Sequence, residues 1–361
     1  MEFLFWASVL FVGYVYAGYP SLLAVWSAVA ARPVRRRATE RDGPWPAVSV
    51  VVAAQNEGPR LPTRVSNLLE QLYPGLMQVI VVSDGSTDGT LAALAPFGGK
   101  IQLIELPRGG KPVALNAGVA AATGEILVFA DARQRFAPDA IRHLVANFDD
   151  PEVGGVSGEL ILDSEEQTSP SGSAVGEGVG LYWRYEKWLR RRESQIGSTL
   201  GMTGAICALR RSLWQPLPPA TLLDDVLAPM RVVLAGKRIV FEERAQAFDQ
   251  VAANGAAEAR RKTRTLAGNY QILGLEPRLL VPGVNPVWLQ YASHKVGRLL
   301  VPWALIAALV TAAFLARERW IYLVALVMQL GFYGLAGLGG WMEFRERGVT
   351  RRADELSPAP K

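Results

Sequence analysis

The sequence predicts an α/β domain with a mixed sheet, held in a membrane by one N-terminal and two C-terminal helices. Three observations predict it. Residues 3–31, 299–316 and 320–342 contain no Asp, Glu, Lys or Arg. Between them the chain alternates apolar runs of strand length with helical stretches, the pattern of βαβ units around a mainly parallel sheet. Half of the 361 residues are apolar and mean hydropathy is above zero, an excess concentrated in the two ends.

The first apolar stretch would be about 43 Å long as a helix, more than the ~30 Å hydrocarbon core. It begins Met1-Glu2 and is followed by positive charges, the reverse of a signal peptide, so a retained anchor is expected. Arg32, Arg35, Arg36, Arg37 and Arg41 against Glu40 place that flank, and the polar middle, on the cytoplasmic side. The 299–316 stretch is short for a span, about 27 Å, and its start extends towards Trp288 and Tyr291. The expected organisation is a transmembrane helix at 1–31, a basic linker at 32–45 and a cytoplasmic domain at 46–282. An interfacial segment at 283–298, two transmembrane helices at 299–342 and a cytoplasmic tail at 343–361 follow.

Composition excludes several function classes. A single cysteine, Cys207, makes no internal disulfide, and His143 and His294 are too few for a structural zinc site. The same scarcity disfavours a Ser-His-Asp triad and leaves carboxylates, Arg and Lys to carry any chemistry. The net charge of +5 sits in patches bordering the apolar stretches, which reads as topology and lipid headgroup contact and not nucleic-acid binding.

Within the middle, residues 48–53 form a continuous apolar run, as a strand buried on both faces requires. It ends in Gln55-Asn56-Glu57. A helix is predicted over 61–72, then a strand over 78–82 that ends in Asp84-Gly85-Ser86-Thr87-Asp88. Next come a strand over 101–106, the loop Arg108-Gly109-Gly110-Lys111, a helix over 114–122, and a strand over 125–130 that delivers Asp131-Ala132-Arg133. Ligands of open α/β sheets bind outside the carboxyl ends of the strands, where these polar clusters lie. Residues 153–162 read as one or two strands, 163–180 as a loop, and 181–192 as an amphipathic helix.

Asp224 and Asp225 precede a helix. Adjacent carboxylates raise each other's pKa, which poises one of them as a general base; a helix N-terminus favouring acidic residues is the simpler alternative. Arg261 and Arg264, three apart, share a helical face where they would bind an anionic group bidentately, a leaving diphosphate if the resemblance described below holds, or meet anionic lipid.

In their order and spacing these motifs, with Asn116 after Gly110-Lys111 and Gly201-Met202-Thr203-Gly204, resemble membrane-bound bacterial family 2 glycosyltransferases of the GT-A fold. The resemblance implies a Rossmann-type mixed sheet and inverting transfer of a sugar from a nucleotide-diphosphate donor, a UDP-sugar, to a glycan or lipid-linked acceptor. It implies donor-binding roles for Gln55, Glu57, Asp84, Lys111, Asp131 and Arg133, with Asp84 accepting from the uracil ring or else capping a helix. Thr203 and Gly204 fall on the acceptor side, Asp225 matches the base, and Asp224 is its neighbour in the catalytic pair. The family's Asp-x-Asp motif binds a divalent cation, Mg²⁺ or Mn²⁺. Here Arg133 stands at its third position, so either Asp131 holds the cation alone with waters and phosphates, or Arg133 supplies the charge.

Processive members carry Gln-x-x-Arg-Trp, where this chain has Arg261 and Thr265 in place of Gln and Trp. That weakens the case for a processive polysaccharide synthase of the chitin, cellulose or poly-N-acetylglucosamine type, which stands as the second reading behind transfer of a sugar with the number of additions left open. A non-catalytic nucleotide-sugar binding subunit is the third. An export or assembly partner is compatible with each.

Overall fold

The computed structural model describes residues 1–37, 43–162, 174–249 and 255–356, with side chains from 182 in the helix that begins at 174, from 260 in the helix that begins at 255, and up to 341 in the helix that ends at 356. Arg41 and Glu40 of the linker, residues 163–173 of the expected loop, and the side chains of the basic tail lie outside the described residues.

Among the described residues eight strands form one sheet: β1 (Val48–Ala54), β2 (Met77–Asp84), β3 (Gln102–Leu106), β4 (Ile126–Asp131), β5 (Arg135–Phe136), β6 (Val153–Leu162), β7 (Ile206–Arg210) and β8 (Arg238–Asp249). Their order is β3-β2-β1-β4-β7-β6-β8-β5. The first four are parallel, β7 is antiparallel to both β4 and β6, and β6 runs parallel to β8. The alternating half of the sequence thus builds the parallel half of the sheet, and the chain beyond β4 adds the mixed half.

Side chains of β1 and β2 alternate between two cores. Val50, Val52, Val79 and Val81 face one layer, packed by α2 (Leu61–Leu69) through Leu61, Val65 and Leu68. Val51, Ile80 and Val82 face the other, packed by α3 (Lys111–Ala120) and α6 (Asp224–Leu234) through Leu115, Val119, Leu227 and Met230. Period-two burial on both faces explains why these strands read as unbroken apolar runs. Helix α3 comes so near the sheet that a Cβ on Gly118 would lie 2.5 Å from Val51 Cγ1. The chain between α3 and α6 supplies α4 (Ala140–Val145) on the first layer and α5 (Ala174–Ile196), longer than the expected 181–192. Helix α7 (Gly255–Leu275) follows β8.

Among the described residues three helices are long and apolar enough to cross a membrane: α1 (Glu2–Val29), α8 (Trp288–Leu315) and a third whose apolar part is Trp320–Trp341. The last continues as helix to Leu356 and is α9. Helix α8 begins earlier than the apolar stretch because its polar first turns have partners. His294 Nδ1 lies 2.6 Å from Glu193, and Arg298 donates to Glu186 at 2.5 Å, both carboxylates coming from α5.

The chain divides into two compact units, Met1–Gly18 with Leu300–Lys361, and Tyr19–Leu299. In the first, Phe5, Ala308, Ala312, Leu315 and Tyr322 form a small core, and Tyr322 donates to Glu2 at 3.0 Å. The second holds the sheet. Its Arg32–Arg37 segment is engaged with the domain and not left free for lipid headgroups: Arg36 pairs with Glu242, Arg37 with Asp149, and Arg32 with Glu152. Asp149 and Glu152 of the α4–β6 connection and Glu242 of β8 attract it.

Candidate active site

Asp131 ends β4, and its backbone carbonyl accepts from Arg64 Nε at 3.0 Å. Arg64 is buried in α2 with its guanidinium 4.0 Å from the Phe136 ring centre. Burial strips water from that cation and lowers its pKa to about 9, an effect Asp131 partly offsets.

The Asp131 carboxylate meets Lys111, the first residue of α3, at 3.3 Å, and the same ammonium lies 3.1 Å from Asp224. Burial works against the lysine charge. Asp224, Asp131 and Asp225 outweigh it and hold the pKa above its ordinary value. Lys111 is placed by the turn before it. Gly110 has φ +90°, and the Asp84 carboxylate at the end of β2 accepts from Gly109 N at 2.6 Å and from Gly110 N at 3.0 and 3.1 Å. Gly85, φ +63°, lets this turn close, since a Cβ there would lie 2.7 Å from Arg108 N.

Asp224 and Asp225 open α6, where the helix N-terminus favours negative charge. Burial first, and the charge of Asp224 second, raise the Asp225 pKa to about 6, against the pull of Lys111. The Asp225 carbonyl accepts from Met202 N at 2.8 Å, fixing the Gly201–Gly204 turn beside it. A Cβ on Gly204 would lie 3.6 Å from Asp225 Oδ2 and 3.7 Å from Lys111 Nζ, so this glycine keeps the space over the carboxylate open.

Lys111, Asp131, Gly204, Asp224 and Asp225 line one cleft, with Phe129, Trp214 and Cys207 among its apolar walls. The fold therefore gathers five of the residues singled out from sequence, from four separate segments. Thr203 is next to this cleft but faces away, with Oγ1 accepting from Arg190 at 2.7 Å and N donating to Ser157 at 2.9 Å. Asp84 acts on the site through the Gly109-Gly110 turn. Glu57 pairs with Arg60 at 3.0 Å, Gln55 and Arg133 are exposed at strand ends, and Arg261 and Arg264 are exposed on α7; none of these lines the cleft.

Sequence reasoning missed Arg64, Arg190 and the stitching role of Asn56. Asn56, φ 55°, accepts from Thr87 N at 2.8 Å and donates to Ser86, while Gly58 N donates to Asp88 at 3.0 Å. These bonds join the loops after β1 and β2 into one rim. The only sequence signal for Arg64 is a charge on the apolar face of Leu61, Val65 and Leu68.

Residues 49–215 match the family model Glycosyl transferase family 2. The matched segment is somewhat less than half of the chain. An N-acetylglucosaminyltransferase of Rhizobium meliloti (strain 1021) is 31% identical over 204 residues, 55% of this chain and 44% of that protein. Another, from Rhizobium sp. (strain N33), is 26% identical over 296 residues, 76% of this chain and 64% of that protein. The chain thus spans less than two thirds of either relative. Among solved structures, a mannosyltransferase from Pyrobaculum calidifontis in complex with GDP-Man and Mn²⁺ aligns with TM-score 0.66 at 22% identity, covering 91% of this chain and 96% of that one. At that identity the likeness is one of fold. The domain has the GT-A-like mixed sheet that its motifs implied.

Proposed function

We propose that the protein is a membrane-bound inverting glycosyltransferase that moves a sugar from a UDP-sugar to a hydroxyl of a glycan or lipid-linked acceptor, in cell-envelope or exopolysaccharide biosynthesis. One observation carries the reading: Asp225, a carboxylate with its pKa raised to about 6, faces an open cleft beside a lysine and a strand-end aspartate. Such a group is a base matched to neutral pH. It takes the acceptor proton as the oxygen attacks the anomeric carbon, the bond to the diphosphate breaks, and nucleoside diphosphate leaves. The two rhizobial relatives support an N-acetylhexosamine as the sugar.

Lys111 and Arg133 are assigned to the charge that develops on the leaving diphosphate. Arg133, Arg261 and Arg264 do not line the cleft, so the lysine comes first. Gln55, Glu57 and Asp84 belong to the nucleoside end of the donor. An ionised carboxylate has about four acceptor sites; with three bonds to Gly109 and Gly110, Asp84 keeps one for a base N–H.

The donor set fits a divalent cation shared with substrate, not a resident one. Among the described residues no three His, Cys, Asp or Glu side chains are grouped to hold a metal, and Asp131 is already paired with Lys111. Asp131 would hold such a cation together with phosphate oxygens, and the cation would supply Lewis-acid charge at the diphosphate. The Mn²⁺ beside GDP-Man in the Pyrobaculum enzyme supports this. The basic residues after α1 support an inner-membrane protein with its catalytic domain in the cytoplasm, where nucleotide sugars are available.

The test is a panel of UDP-, GDP- and dTDP-sugars with Mg²⁺, Mn²⁺ or EDTA, reading released nucleoside diphosphate from wild type and Asp225→Asn. Release from a UDP-sugar that the variant binds but does not turn over is the expected result. Full activity in the variant, or release with none of the donors, would sink the reading.

A further inference from the structure

The cleft that holds Asp225 has an apolar floor that proton transfer and diphosphate departure leave unused. Period-two alternation along β4 puts Leu127, Phe129 and Asp131 on one face of the sheet, and Cys207 of β7 stands opposite Phe129 on that face. The Trp214 ring centre lies 5.1 Å from that of Phe129. Ala228 lies one turn beyond Asp224 and Asp225 on α6 and lines the same cleft. Cys207 and Phe129 are 3% and 7% exposed, against 38% and 31% for the Lys111 and Asp131 side chains, so apolar groups form the bottom and charges the mouth. Burial pushes the Cys207 thiol pKa up, and the neutral group packs as a small hydrophobe.

Size and place decide what this floor meets. The free space in the cleft is about 20 Å³, enough for one group the size of a water molecule or a methyl and too little for a sugar ring, which must stay at the mouth. Against Phe129, Cys207 and Trp214 a hydroxyl would lack partners and a methyl would not. In displacement at the anomeric carbon, that carbon lies between the leaving diphosphate and the attacking hydroxyl, hence between Lys111 and Asp225 in the roles assigned to them. Ring carbon 2 is bonded to it. Its substituent is therefore the exocyclic group nearest the floor, and an amide N–H and C=O on that carbon would stay among the charges at the mouth.

We infer that this recess reads the substituent on carbon 2 of the transferred sugar and takes an acetamido methyl, with Phe129, Cys207 and Trp214 as the specificity-determining contacts. The inference rests on the glycosyl-transfer reading and deepens it, because it gives a physical reason for preferring an N-acetylhexosamine to a hexose. A 2-hydroxyl leaves the recess unfilled. An acyl chain one methylene longer overfills it.

Calorimetry on the full chain in lipid nanodiscs with Mg²⁺ tests this, with UDP, UDP-glucose, UDP-N-acetylglucosamine and UDP-N-propionylglucosamine as probes. Wild type should bind the acetamido sugar about 10–200-fold more tightly than UDP-glucose, the range for one small apolar group in a fitted pocket. The propionamido sugar should bind roughly tenfold more weakly than the acetamido one, because overpacking is also costly. Cys207→Ala removes one heavy atom from the floor and should close most of that second gap. If Cys207→Ala no longer binds UDP, Ala228→Val replaces it; this variant narrows the recess and should erase the advantage of the acetamido sugar over UDP-glucose. Equal wild-type affinity for UDP-glucose and UDP-N-acetylglucosamine would overturn the inference, and so would a propionamide bound as well as the acetamide. Preferences left unchanged in the variant would overturn it too. A wild type that binds neither UDP nor any of the three sugars would instead count against the proposed function.

Discussion

Lys111 and Asp224 meet at 3.1 Å across the cleft, each at the first turn of its own helix. The lysine is the only cation that any of the three cleft carboxylates is paired with among the described residues, so its charge bears on each step assigned to them. It pulls the Asp225 pKa down while burial and Asp224 push it up.

Replacing Asp225 with Asn removes the base without changing its shape. Transfer should fall about 10²–10⁴-fold, the usual contribution of a positioned general base. Donor affinity, measured by calorimetry on the purified protein, should be unchanged.

The pH profile of kcat/KM should rise through about pH 6 as Asp225 ionises. Asp224→Asn removes a like charge and should move that limb to lower pH. Lys111→Met removes an opposite charge and should move it to higher pH, with a fall in turnover that Lys111→Arg partly restores. A limb that stays in place in both variants would mean that another group titrates.

The same shift has a stability consequence. A carboxyl whose pKa is raised from 3.8 to about 6 binds its proton more tightly folded than unfolded, so its ionisation destabilises the fold as pH rises through that window. Asp225→Asn should therefore melt higher than wild type at pH 8, by up to roughly 3 kcal/mol at 1.36 kcal/mol per unit. Below pH 4 the difference should vanish. Equal melting at both pH values would contradict the buried, raised carboxyl.

Chelation with EDTA should abolish turnover, and Mg²⁺ or Mn²⁺ should restore it, since Asp131 and the donor phosphates are expected to share a cation. Arg133→Ala should raise the donor KM several-fold with the metal present. Turnover that survives EDTA and is lost in Arg133→Ala would transfer the charge-stabilising role to the arginine.

Arg37, with its Asp149 partner 2.8 Å away, is a structural tie of the linker to the domain. Arg37→Ala should cost about 1.5–3 kcal/mol, the range for a charged hydrogen bond. The loss should be the same in zwitterionic and anionic nanodiscs. A loss seen only with anionic lipid would return this segment to the headgroups.

The sequence by itself determined the three apolar helices, the parallel strands and the polar clusters at their ends. Each depends on local periodicity or on the length of an uncharged run, which a single segment records. It also determined that Asp224 and Asp225 open a helix, because adjacent acids before an apolar face have few other uses. Tertiary structure alone decided the rest. The approach of Lys111 to Asp131 and Asp224 joins residues up to 113 positions apart. No local pattern encodes that. Arg64 looks like a surface charge until Asp131's carbonyl and the Phe136 ring close over it. The polar start of α8 is continuous helix because Glu186 and Glu193, about a hundred residues earlier, neutralise it. Arg36 and Arg37 read as membrane flank until folding brings Glu242 and Asp149 beside them. In each case the deciding quantity is an electrostatic pairing at 2.5–4 Å, which exists only once distant segments share a wall.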